Sequence, residues 1–322
     1  MPPANAASSA FPLPQTEANG LIPLPQFALL EVAGSEARAF LHTQLTSDVK
    51  ALTATNAQFS AWCNAQGRML ANFILYARPA AAGETLRLLF AAELLPTIQA
   101  RLQKYVLRSK VSFTARSDLG HLGLCGAQLP ALLQAAGFAL FPEDAALGVS
   151  THDETTLIRL PDGRYLLTAP QPLLTEYAER LAAQLSVADA QYWQWRDIRA
   201  ALPWIGNATT EAFVPQMLGF EKIGVSFKKG CYPGQEIIAR AQYLGEVKRH
   251  LYRLAASRPM QVGEDLYADD DPRQTIGKIL TAAPISDEPG QYTALAVLLD
   301  ARAHSLAHIQ TQRLTYARHA GA

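Results

Sequence analysis

Residues 227–240, FKKGCYPGQEIIAR, restrict the fold more than any other stretch of the chain. An apolar strand pattern at 223–227 runs into Lys228 and Lys229, then into Gly230, Cys231, Tyr232, Pro233 and Gly234. Beyond them Ile237, Ile238 and Ala241 recur at helical spacing, which predicts a strand, a glycine-bearing loop and a helix N-terminus. The unpaired amides of a helix start favour anions. A cysteine beside two lysines and near such a start has physical reason to react as a thiolate. The competing reading is simpler: a lone cysteine at an element junction is more often a small buried residue.

The segments before this stretch predict two similar passes of strand and helix. Residues 27–32 read as a strand, and Ser35 offers an N-cap to a helix whose apolar face is Ala37, Phe40, Leu41 and Leu45. Residues 58–63 and 69–76 flank the turn Asn64-Ala65-Gln66-Gly67 as a hairpin, and 86–90 form a strand. A helix then carries Leu94, Leu95, Ile98, Leu102, Tyr105 and Val106 on one face, and 111–114 close the unit. The second round has a strand at 122–125 and a short helix through Leu129, Leu132, Leu133 and Ala136. Its hairpin turns on Pro161-Asp162-Gly163-Arg164, and its second helix holds Leu173, Leu174, Tyr177 and Leu181. Past residue 245, strand-like runs at 250–254, 275–280 and 294–299 alternate with Gly, Asp and Pro turns. The expected class is α+β, with two βαββα-type, ferredoxin-like units and a C-terminal antiparallel β-barrel. The expected divisions are a disordered lead-in at 1–20, domains at 21–116 and 117–244, and the barrel at 245–322.

Lys plus Arg and Asp plus Glu each total 28, a balance that argues against broad nucleic-acid or membrane binding. No apolar run reaches bilayer length, and residues 1–19 hold no Lys or Arg, so neither a membrane span nor a signal or transit peptide is expected. Cys63, Cys125 and Cys231 are scattered and odd in number, which suits a reducing cytoplasm and makes no disulfide framework, zinc site or four-thiolate cluster site. His304 and His308 stand four apart without an acidic partner at a fixed offset, and Asp269, Asp270 and Asp271 lack the spaced oxygens of a calcium loop, so no metal site is expected. Gly120, Gly123 and Gly126 give GxxGxxG, not the dinucleotide fingerprint, and no P-loop occurs. Tyr192, Trp193, Trp195 and Trp204 either pack domains together or line a flat pocket able to stack a pterin.

The block KGCYPGQE resembles the signature of the YgfZ-type folate-binding proteins, which are relatives of the glycine-cleavage aminomethyltransferase and are themselves implicated in iron–sulfur cluster maintenance. VAGSEARAFLHTQLTSDV at 32–49, the hairpin with Gly67-Arg68, and Pro215-Gln216-Met217 are similar to other parts of the same family, so the likeness runs from about residue 27 through Gly245. The resemblance implies an aminomethyltransferase-like, three-domain, cytoplasmic protein that holds tetrahydrofolate or a derivative in a central cavity. It further implies an accessory role in assembling or repairing iron–sulfur clusters, any cluster being transient. The partners are then iron–sulfur client enzymes, some of which modify tRNA, with no direct nucleic-acid contact.

On this reading Cys231 is the reactive thiol, Lys229 lowers its pKa, and Gly230 and Gly234 shape the loop. Tyr232, Gln235 and Glu236 position ligand or cap the helix, and Arg240 holds the folate glutamate tail or pairs with Glu236. Two departures stand out. The transferases carry paired aspartates where this chain has Ala71 and Asn72, and a pterin-reading Glu where it has Arg199. A folate-dependent one-carbon transferase and a non-catalytic scaffold are the alternatives.

Overall fold

The computed structural model describes residues 19–314 apart from 81–82, 140, 142–146, 183, 246, 286–287 and 307. The chain runs through β1 (Gly20–Pro23), β2 (Phe27–Ala33), α1 (Ala37–Gln44), β3 (Ala57–Cys63), β4 (Met69–Ala80), β5 (Gly83–Ala91), α2 (Leu95–Val106) and β6 (Ser112–Ala115). A second set follows: β7 (Leu119–Cys125), α3 (Leu129–Ala135), β8 (Val149–His152), β9 (Thr155–Arg159), β10 (Tyr165–Pro170), α4 (Gln171–Ala182), β11 (Ser186–Val187) and α5 (Ala190–Arg199). Last come α6 (Gln235–Tyr243), β12 (Arg249–Ala256), β13 (Asp265–Ala268), β14 (Asp271–Pro284), β15 (Tyr292–Leu299) and β16 (Ile309–Arg313).

These strands make three sheets, ordered β3-β4-β5-β2-β6, β11-β1-β7-β10-β9-β8 and β13-β14-β15-β12-β16. The fold is α+β. In the third sheet β13 and β16 lie at opposite edges, so the described residues form an open antiparallel sheet where the strand spacing predicts a barrel. β1 pairs with β7 and β11 of the second sheet, which ties Gly20 and Leu21 into that sheet and not into a lead-in or the first unit. Residues 1–18 of the expected lead-in lie outside the described residues.

β4 reads MLANFILYARPA and is buried on both faces through Arg78, as a continuous apolar run in an interior strand must be. One apolar core extends from the first sheet through Trp193, Trp195 and Ile198 of α5 to Leu280, Leu295 and Val297 of the third sheet. At the seam between the first two sheets Arg87, 2% exposed, pairs with Glu31 and Glu154, and Arg116 reaches both carboxylates. No helix is long and apolar enough to cross a membrane among the described residues.

Two local expectations are corrected. Glu36, not Ser35, occupies the N-cap of α1 and makes no side-chain cap; its carboxylate instead accepts from the Lys110 amide at 2.7 Å. Residues 223–227 are irregular, not a strand. Their backbone is satisfied by the segment after α1: Ser226 N–H donates to the Thr46 carbonyl at 2.9 Å, and the Thr46 hydroxyl donates to the Gly224 carbonyl at 2.6 Å.

His121 on β7 gives the fold a pH dependence. Its ring is buried, Nδ1 lies 2.9 Å from the Thr168 hydroxyl, and burial lowers its pKa from 6.5 to about 4. The unfolded chain therefore binds the proton first as pH falls, and the stability owed to the neutral ring is complete above about 6.5 and lost towards 4. Denaturant titrations between these pH values are expected to show a loss of up to about 3 kcal/mol from this residue. His121→Gln is expected to flatten that slope; an unchanged slope would reject the assignment.

Candidate functional site

Gly234 is the N-cap of α6 and has a left-handed backbone, φ 78°. A Cβ at this position would lie 2.4 Å from the Asn64 carbonyl oxygen and 2.6 and 2.7 Å from Cα and N of Gly67. Both the backbone conformation and the close approach thus demand glycine. Gly67 also has positive φ, 71°, and a Cβ there would stand 3.3 Å from the side chains of Ile237 and Ile238. The β3–β4 turn and the start of α6 therefore meet backbone to backbone. Gln216 adds a third stretch by donating from Nε2 to the Ile238 carbonyl at 2.7 Å.

Lys229 brings in the end of α1. Its ammonium donates to the carbonyls of His42, Leu45 and Ser47, the last two at 2.6 and 3.1 Å. Burial lowers its pKa to about 8, with Asp48 opposing, although three carbonyl acceptors favour the charged form. The same Nζ lies 5.1 Å from the centroid of the Tyr232 ring. Tyr232 is buried, its hydroxyl has no hydrogen-bond partner, and burial pushes its pKa up, with Cys63 adding to the rise.

Between Lys229 and Tyr232 the backbone arches outward and presents Cys231 to solvent. Cys63 and Cys125 are buried, and burial raises the pKa of both, so the description of a small interior cysteine fits them and not Cys231. Nothing stands within 4 Å of the Cβ position of Gly230, so no close packing requires glycine there. Gln235 is half-buried in the first turn of α6, while Glu236 and Arg240 are exposed and form no ion pair with each other. The structure thus brings together the α1 end, the hairpin turn, Gln216 and the Cys231 loop, which are the four stretches that carry the family resemblance.

No family model matches the chain. Among curated proteins, the tRNA-modifying protein YgfZ of Sodalis glossinidius (strain morsitans) is 35% identical over 298 residues, spanning 90% of this chain and 88% of the relative. The protein of the same description from Klebsiella pneumoniae (strain 342) is 36% identical over 293 residues, spanning 89% and 86%. The chain belongs to the YgfZ family. Among solved structures, glycine cleavage system aminomethyltransferase T from Bartonella henselae superposes with a TM-score of 0.68 at 19% identity, covering 89% of this chain and 80% of that one. That likeness gives an aminomethyltransferase-like fold.

Within this YgfZ-family chain, both positions that depart from the transferases have structural employment. Asn72 is buried; its Nδ2 donates to the Pro203 carbonyl and its Oδ1 accepts from the Ile205 amide, each at 2.8 Å. A carboxylate could accept from Ile205 but would face the Pro203 carbonyl without a proton to give. Arg199 holds its guanidinium 5.8 Å from the Trp195 ring, and its carbonyl accepts from Arg253 at 2.5 Å.

Trp193 and Trp195 are each 1% exposed, which assigns them to packing. Trp193 lies flat against Gly123, where a Cβ would come within 2.3 Å of the ring, and carries the Arg164 guanidinium 4.1 Å from its centroid. Arg164 in turn reaches Asp162 and Asp197 at 2.6 and 2.7 Å, and Asp197 also accepts from Trp204 Nε1 at 3.1 Å. Sequence reasoning placed Arg164 in a hairpin turn and missed this buried cluster. Among the described residues no group of His, Cys, Asp and Glu is arranged to hold a metal ion.

Proposed function

We propose that this chain is a folate-binding accessory protein in iron–sulfur cluster assembly or repair, acting in the cytoplasm through the Cys231 thiol. The observation that carries the reading is an exposed Cys231 on an arch whose two ends are anchored where four separate family-bearing stretches meet. The names of the relatives support a link to tRNA modification. In this reading that link runs indirectly, through client iron–sulfur enzymes that modify tRNA. The aminomethyltransferase-like fold supports the folate half. In this reading the first two sheets are divergent copies of one ferredoxin-like βαββα plan, divided near 116 and 244.

The polar groups near the motif suit a pterin. The Tyr232 hydroxyl and Gln216 Oε1 are buried without partners, offering a donor–acceptor and an acceptor to its mixed edge. These two would orient the ring, Gln235 and Glu236 would bound it at the start of α6, and Arg240 would meet the glutamate tail. Tetrahydrofolate, when bound, supplies a one-carbon carrier. Asn72 has no proton-accepting carboxylate and is already bonded at both ends, which weighs against aminomethyl transfer.

Titration with tetrahydrofolate, followed by tryptophan fluorescence, tests the reading on wild type and Cys231→Ala together. Saturable binding is expected in both, with affinities within about threefold, or roughly 0.7 kcal/mol. In cells lacking the wild-type gene, Cys231→Ala is expected not to restore the activity of iron–sulfur enzymes. Absence of binding in both proteins would remove the folate half, and full restoration by Cys231→Ala would favour a scaffold.

A further inference from the structure

We propose that Lys229 is the positioning residue of the Cys231 thiol: its ammonium caps the C-terminal end of α1 from 187 residues away and fixes one foot of the arch, instead of serving as the thiolate's counter-ion. In a continued helix the Thr46 amide would donate to the His42 carbonyl, but it turns away to the Ala61 carbonyl at 2.9 Å. The last carbonyls of a helix need other donors, and a lysine is suited to supply them. Lys229 has three N–H donors, and they meet three carbonyls, those of His42, Leu45 and Ser47. The ammonium's hydrogen-bonding capacity is thereby filled on the side of α1.

The other foot is Tyr232, buried beneath the arch, followed by Gly234 against the hairpin backbone. Gly230 and Cys231 between the feet are exposed, and no atom packs against the Cβ position of Gly230. The conformation of the arch is therefore held from its ends. A flexible four-carbon stem closed onto three carbonyls accomplishes this; a planar guanidinium of different length does not match that acceptor set.

The role of the thiol rests on the functional reading above, but labelling Cys231 requires neither folate nor a client, so each idea can fail alone. The test compares wild type, Lys229→Met and Lys229→Arg by the pH dependence of iodoacetamide alkylation at Cys231 and by amide hydrogen exchange across 42–47 and 228–234. Both variants are expected to exchange at least about tenfold faster in these segments while the alkylation profile keeps its midpoint. A midpoint raised by about one unit in Lys229→Met and held in Lys229→Arg would overturn the proposal in favour of a counter-ion. Unchanged exchange in both variants would also overturn it. Should Lys229→Met not fold, Lys229→Arg alone decides, since the positioning role predicts faster exchange and the counter-ion role predicts none.

Discussion

Gly234→Ala is expected to destabilise the protein by about 3 kcal/mol and, for a chain of this length, to lower its melting temperature by roughly 4–6 °C. Two costs add. A non-glycine residue at φ 78° pays about 1–2 kcal/mol for the left-handed conformation. The new methyl also meets backbone atoms of Asn64 and Gly67 at 2.4–2.7 Å, and backbone cannot swing aside as a side-chain end can. Relief requires moving the β3–β4 turn away from α6, which also loosens Ile237 and Ile238 over Gly67. Gly230→Ala is the internal control, because its Cβ enters open space and its expected effect stays within about 0.5 kcal/mol. Calorimetry on both variants checks the contrast; equal effects would mean that glycine is needed in the arch for some reason other than this contact.

The same contact shows what the sequence could and could not tell. Each glycine was legible as a turn residue, one in the Asn64–Gly67 hairpin and one before an amphipathic helix, because the demand for positive φ is local. Their meeting was not legible, since a backbone-to-backbone approach leaves no mark in either neighbourhood beyond the glycines themselves. Lys229 was visible as a charge beside Cys231, yet its partners are main-chain carbonyls, which every residue has. The hairpin followed from its turn residues between two apolar runs and α2 from helical spacing, whereas 223–227 misled because half-buried apolar residues on irregular backbone can alternate as a strand does. The two-residue strand β11 is too short to carry a period at all. Trp193 and Trp195 left packing and ligand stacking open until their burial assigned them to packing.

Arg164→Met is the second large effect, expected to cost about 3–5 kcal/mol at neutral pH. The Arg164 side chain is wholly buried, flanked by Asp162 and Asp197 and laid over Trp193, so methionine keeps much of the apolar stem and removes the charge. Asp197 is then left inside with the Trp204 indole as its remaining side-chain donor. Burial already raises the Asp197 pKa from 3.8 to about 6, against the pull of Arg164, and loss of the guanidinium raises it further. A carboxyl with a raised folded pKa favours the fold fully below its unfolded value of about 3.8, and this advantage disappears as pH rises through the folded value. The deficit of Arg164→Met is therefore expected to be greatest near neutrality and to shrink as pH falls towards 4 and Asp197 takes up its proton. The double variant Arg164→Met, Asp197→Asn should recover much of the loss at neutral pH, because it removes the stranded charge while an amide oxygen can still accept from Trp204. A deficit that is independent of pH and persists in the double variant would place the role of Arg164 in its packing over Trp193 and not in the ion pair.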